Sequence, residues 1–167
     1  EEKASHFQIM LGVSKRWNVI FAKLLVLYLS GIFSLIMMYI LFAVGIKFEQ
    51  ISNVPWLLLL QAVLGLGACN LIIYIVHLLL SLKLGLGASM IWGVFECLQC
   101  ILYSNIELHG VWWYIPFAWP IHWIQDVFLG KIFEHGGRWI VVMVLTFLFF
   151  FVLIYWFSKW EGRKNYE

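Results

Sequence analysis

Glu96 is the one carboxylate set well inside an apolar run, Leu84 to Ile106. An ionisable group there is costly enough to need a partner or a task. Gln99 follows one turn on, and Asn70, His77 and Gln61 stand on the preceding run, so a polar face turned into a helix bundle is expected, for packing or for function. Cys97 and Cys100 make a C-x-x-C, which in water would be half of a redox or zinc site. No second pair accompanies them and their neighbours are apolar, so all three cysteines, Cys69 included, are expected reduced and buried. His122 and Asp126 lie four apart, with Glu107, His109, Glu134 and His135 nearby, and form the one cluster that could in principle hold a metal or serve a protease. Gly65-x-Gly67 and Gly85-x-Gly87 fall in apolar runs, where small residues permit close helix approach. The chain carries no G-x-x-x-x-G-K-[ST] loop, H-E-x-x-H, G-x-S-x-G or dinucleotide fingerprint. No catalytic residue, metal or cofactor is therefore expected in it, and any ATP-driven work falls to a separate subunit.

The elements that position these residues belong to lipid. Of the 167 residues, 63% are hydrophobic, 19% aromatic and only 12% charged, about half the charge of a soluble domain. The apolar residues run in uninterrupted blocks rather than amphipathic stripes. A net charge of +2, with cations single or paired between blocks, leaves no footprint for nucleic acid.

A crossing needs about 20 apolar residues, and residues 24–46, 54–82, 84–106 and 139–158 each supply one. Pro55 stands where a first helical turn accepts it. Glu96 and three glycines weaken the third block. Val111 to Leu129 is apolar and aromatic but broken by Pro116 and Pro120. It is expected to dip into the bilayer and return as a re-entrant helical segment packed on the spans. The fold class is thus an all-α integral membrane protein, one transmembrane domain over 1–167.

Lys3, Lys15, Arg16, Lys23, Lys83, Lys159, Arg163 and Lys164 fall on one side of these spans, and Lys47, Lys131 and Arg138 on the other. The positive-inside rule then places both ends in the cytoplasm and the aromatic segment outside. Trp17, Trp56, Trp139, Trp156 and Trp160 fall near span ends, as interfacial anchors do. No signal peptide pattern opens the chain. The start without methionine suggests a missing N-terminal part.

Residues 1–18 place Phe7, Met10, Leu11 and Trp17 roughly on one helical face behind Glu1, Glu2 and Lys3. This amphipathic stretch reads either as an interfacial helix or as a docking helix. The arrangement EEKASHFQIMLGVSKRWNVIFAKLL resembles the cytoplasmic coupling segment of type-2 ABC transporter permeases. By that resemblance Glu2, Phe7, Gln8, Leu11, Gly12, Ser14, Lys15, Arg16 and Lys23 would meet the ATP-binding cassette subunit. The tail FSKWEGRKNYE, with Trp160, Glu161, Gly162 and Arg163, is similar to that of lantibiotic-immunity permeases. The likeness covers the whole chain and implies that two spans precede it.

The resemblance implies a partner ATPase, a second permease in a homo- or heterodimer, and a location in a bacterial cytoplasmic membrane. It also implies export of a membrane-bound antimicrobial peptide for self-protection. Trp112, Trp113, Tyr114, Phe117, Trp119 and Trp123 would form an outer wall able to stack on such a peptide or make cation–π contacts. The bland alternative is an interfacial anchor. Another cargo, such as lipid or a bacitracin-like drug, fits the same architecture. An intramembrane metalloprotease using Glu1, Glu2, His122 and Asp126 fits poorly, because these acids and the histidine fall on opposite sides and no arginine follows the paired glutamates.

Overall fold

The computed structural model describes residues 7–12, 15–49, 55–105 and 112–161, with the side chains of residues 8, 9, 104 and 105 excepted. Its elements in chain order are α1 (Gln8–Leu11), α2 (Arg16–Phe48), α3 (Trp56–Lys83), α4 (Leu86–Asn105), two 3-10 turns (Trp112–Tyr114 and Pro116–Ala118), α5 (Trp119–Leu129) and α6 (Gly136–Lys159). No strand occurs among the described residues. The helices α2, α3, α4 and α6 are long and apolar enough to cross a membrane.

Local sequence accounts for most helix ends. Pro55 takes the N-cap of α3, where its missing N–H costs nothing. Gly85, at φ 105°, lets the chain turn tightly from α3 into α4. Pro120 stands at the start of α5, and Gly130 in the left-handed conformation stops that helix after eleven residues. At 1.5 Å per residue α5 is about 16 Å long, too short to cross. The ends of α3, α4 and α6 lie within a few residues of the expected blocks.

The N-terminal region departs from expectation. The amphipathic run over 1–18 is not one helix, since α1 is a single turn and α2 already begins at Arg16, eight residues before Leu24. The chain bends at Gly12, a residue that helices disfavour. α2 consequently extends for 33 residues, about 50 Å, well beyond a hydrocarbon core of about 30 Å.

α3 is the central element, with α2, α4, α5 and α6 all packed on it. One cluster of buried side chains fills the end where α3 and α6 finish: Ile20 and Leu24 from α2, Leu78 and Leu82 from α3, Leu153 and Phe157 from α6. A second, at the opposite end, joins Cys69, Ile72 and Val142 to Trp112, Ala118 and Trp119. Glycines allow the close approaches. A Cβ on Gly65 would fall inside the Trp123 indole, and one on Gly31 would fall on the Tyr74 hydroxyl. Outward faces of α2, α4 and α6 expose Leu41, Phe33, Ile91, Phe147 and Phe151, each more than 60% open, a surface suited to lipid rather than to water.

Candidate functional site

Three side chains on the α3–α4 hairpin form a polar chain inside otherwise apolar packing. Glu96, only 6% exposed, faces α3 from the middle of α4. Its Oε2 lies 2.8 Å from His77 Nε2, and His77 Nδ1 lies 2.8 Å from Ser89 Oγ. Gly93 makes room for this, because a Cβ there would sit 3.3 Å from His77 Cε1. Both ring nitrogens of His77 are thus engaged by α4, so Glu96 and Ser89 together fix the orientation of the imidazole. The other carboxylate oxygen, Oε1, is buried without a protein partner. Asn70 and Gln99, expected on the same polar face, are half-buried, but the two ring nitrogens of His77 go to Ser89 and Glu96. Gln61 contributes through its backbone, its carbonyl accepting from Trp123 Nε1 at 3.2 Å.

His77 and Ser89 also line a cleft of about 1010 Å³. Its floor is α3 and its walls are α2 and α4, which each pack on α3 and hardly on one another. Lys23 and Ser81 lie along it with the two, and Val26, Leu27 and Tyr74 supply apolar lining. Ser89 was not distinguished by sequence, since a serine four residues into an apolar helix looks like any small packing residue. Only the pairing of two helices reveals its partner.

A second polar knot lies at the other end. Asp126, 3% exposed, accepts from Trp139 Nε1 at 2.9 Å and pairs with His135 Nδ1 at 2.8 Å. Trp112 stacks on His122 with ring centroids 4.6 Å apart. Burial pushes the His122 pKa below its ordinary 6.5, an effect that Asp126 opposes and that His135 and Arg138 reinforce. The four-residue spacing of His122 and Asp126 thus does not give a shared site, because Asp126 turns to α6 and the turn before it. Among the described residues no group of three or more His, Cys, Asp or Glu could hold a metal. Glu1, Glu2, Glu107 and His109 lie outside the described residues.

The aromatic wall is divided. Trp119 (0% exposed) and Trp112 (3%) are core residues, with Trp119 Nε1 donating to the Trp113 carbonyl at 3.1 Å. They pack against residues of α3 and α6. Trp113, Phe117 and Trp123 are half-buried, and Tyr114 is exposed. Trp139 likewise is more than an interfacial anchor, since it holds Asp126.

At the base of the bundle Phe7 is buried edge-on against Trp160 at 5.1 Å. Leu11 is half-buried against the same cluster, while Gly12 and Lys15 are exposed. Glu2 and Ser14 lie outside the described residues, as do Gly162 and Arg163, and the Gln8 side chain is not described. Arg16 Nη1 donates to the carbonyls of Ser158 at 3.2 Å and Trp160 at 3.1 Å. A cation there satisfies the open C-terminal carbonyls of α6 and complements its dipole. Cys97 is exposed, and Cys100 Sγ approaches the Phe117 carbonyl at 3.5 Å. No family model, curated protein or solved structure matches the chain.

Proposed function

We infer that this chain is the membrane-embedded permease subunit of an ATP-driven exporter. On this reading it crosses a bacterial cytoplasmic membrane four times, with the described start and end inside and residues 111–129 re-entrant from outside. Four apolar helices and their lipid-type outer surface support the crossings. The cation distribution supports the sidedness.

The observation that carries the transport reading is the brace at the base. α1 is tied to the end of α6 by Phe7 on Trp160, and the start of α2 is tied to the same end by Arg16. A push on α1 from an ATP-binding partner would therefore move α2 and α6 together. Among the described coupling residues, Gly12 and Lys15 are exposed and could meet such a partner. Cargo of the lantibiotic type, a cationic amphiphilic peptide, would meet Tyr114 and the open edges of Trp113, Phe117 and Trp123 by cation–π contact. A second permease would cover part of the apolar surface of α2.

Co-purification from bacterial membranes tests the reading. A tagged parent chain should bring down an ATP-binding subunit, and Lys15→Glu with Gly12→Arg should release it, while Lys131→Glu at the opposite end should not. Capture of no ATP-binding subunit by the unaltered chain would overturn the exporter.

A further inference from the structure

We propose that the cleft between α2 and α4 is a binding site for one anionic phospholipid of the cytoplasmic leaflet. The proposal requires that the chain spans a membrane, but it is independent of export.

Geometry sets the size of the occupant. The α2 wall of the cleft runs from Asn18 to Ser30, about 18 Å at 1.5 Å per residue. With the hydrocarbon entered near residue 24, residues 18–23 lie at headgroup level and residues 24–30 cover about 10 Å of a leaflet about 15 Å deep, so the cleft stays within one leaflet. Because α2 and α4 flank it without closing over it, the opening is sideways into lipid. A peptide or a soluble metabolite would have to enter through the acyl chains; a lipid is already there.

Charge and polarity set its orientation and class. The polar groups come from three helices at similar depth: Lys23 seven residues into α2, His77 and Ser81 in the last two turns of α3, and Ser89 in the first turn of α4. Arg16, Lys83 and Lys159 mark the same end of the bundle, which the positive-inside rule assigns to the cytoplasmic leaflet, where anionic headgroups attract basic residues. From that level the lining becomes apolar through Val26 and Leu27 toward Tyr74, as an acyl chain requires. The Lys23 stem can lie along the wall with its ammonium turned to the headgroup level.

The Glu96 carboxylate does not line the cleft and is held behind the imidazole by its bond to Nε2. Lys23 is therefore the cationic side chain of the cleft wall, while the Ser81 hydroxyl donates to the Leu78 carbonyl at 3.0 Å and Ser89 is engaged with His77, so the two serines add polarity at headgroup depth rather than bonds to phosphate. In this arrangement the His77–Glu96 pair is a positioning device, since it keeps Ser89 and the imidazole in place on the floor.

Native mass spectrometry of the full chain tests this, after exposure to equimolar phosphatidylglycerol and phosphatidylcholine in a neutral detergent. One phosphatidylglycerol should be retained in preference, and Lys23→Gln should reduce that preference about fivefold, the equivalent of about 1 kcal/mol for one basic residue. Lys83→Gln, which removes an exposed cation from the same end outside the cleft, should leave the preference unchanged. Leu27→Trp, which fills the slot, should lower retention of both lipids. Equal retention of the two lipids, or an equal effect of Lys83→Gln, would overturn the site. Displacement of the lipid by inorganic phosphate at matching concentration would show that a free anion, and not a lipid, is recognised.

Discussion

At the scale of single residues, the two buried carboxylates, Glu96 and Asp126, are each paired with groups from another element. His77 reaches Glu96 and Ser89 on α4, and Asp126 reaches His135 and Trp139. Removing one partner strands the other in an apolar environment, which costs about 1–3 kcal/mol. Glu96→Ala is thus expected to lower the unfolding temperature in detergent clearly, and Glu96→Gln, which can still bond to the imidazole, to lower it less. A double-mutant cycle of Glu96→Ala with His77→Ala should yield a coupling of about 0.6–1.7 kcal/mol, the range of intramembrane hydrogen bonds. A coupling of zero would mean that the pair contributes nothing to the fold. Glu96 was legible from sequence because a carboxylate in an apolar run is conspicuous. Ser89 was not, since its significance depends on which helix faces it.

At the scale of elements, α5 and the two turns before it form an aromatic plug whose stability should follow pH. The His122 pKa is depressed mainly by burial under Trp112. A histidine held neutral in the folded state and free to protonate when unfolded makes unfolding easier as pH falls. The contribution is complete above the ordinary value of 6.5 and declines as pH drops below it. Thermal unfolding followed by tryptophan fluorescence should show the aromatic cluster loosening between pH 7.5 and 5, and His122→Phe should flatten that dependence. An unchanged slope in the variant would assign the pH response to other groups. The need for a plug of this form was visible in Pro116 and Pro120, which interrupt the run. Which of its seven aromatic residues face inward was not visible, because 3-10 turns and one short helix offer no long periodicity to read.

At the scale of the whole molecule, the apolar outer faces of α2, α4 and α6 and the distribution of cations have one consequence for topology. With native cysteines replaced, Lys15→Cys should react with an impermeant maleimide only when the cytoplasmic face is opened, and Lys131→Cys should react in intact cells. Labelling of both positions from the same side would break the four-crossing arrangement. On the proposed sidedness the lateral cleft would lie in the inner leaflet and the plug at the outer end. Events at the two ends would be linked through α3, against which both pack.

The sequence by itself determined the helical class, the number of long apolar helices and the near-boundaries of three of them, because apolar block length and proline or glycine stops are local properties. It also singled out Glu96 and His77. The apolar face read at the start is covered in part by the chain itself, since Phe7 and Met10 are buried in the cluster at the base of the bundle. A hydrophobic face states that something must cover it and is silent about what. The Arg16 brace, the exchange of hydrogen bonds in the α3–α4 hairpin and the cleft between α2 and α4 join residues up to 144 positions apart. Only the tertiary structure decided these, because helix packing through small residues at Gly31, Gly65 and Gly93 chooses which faces meet.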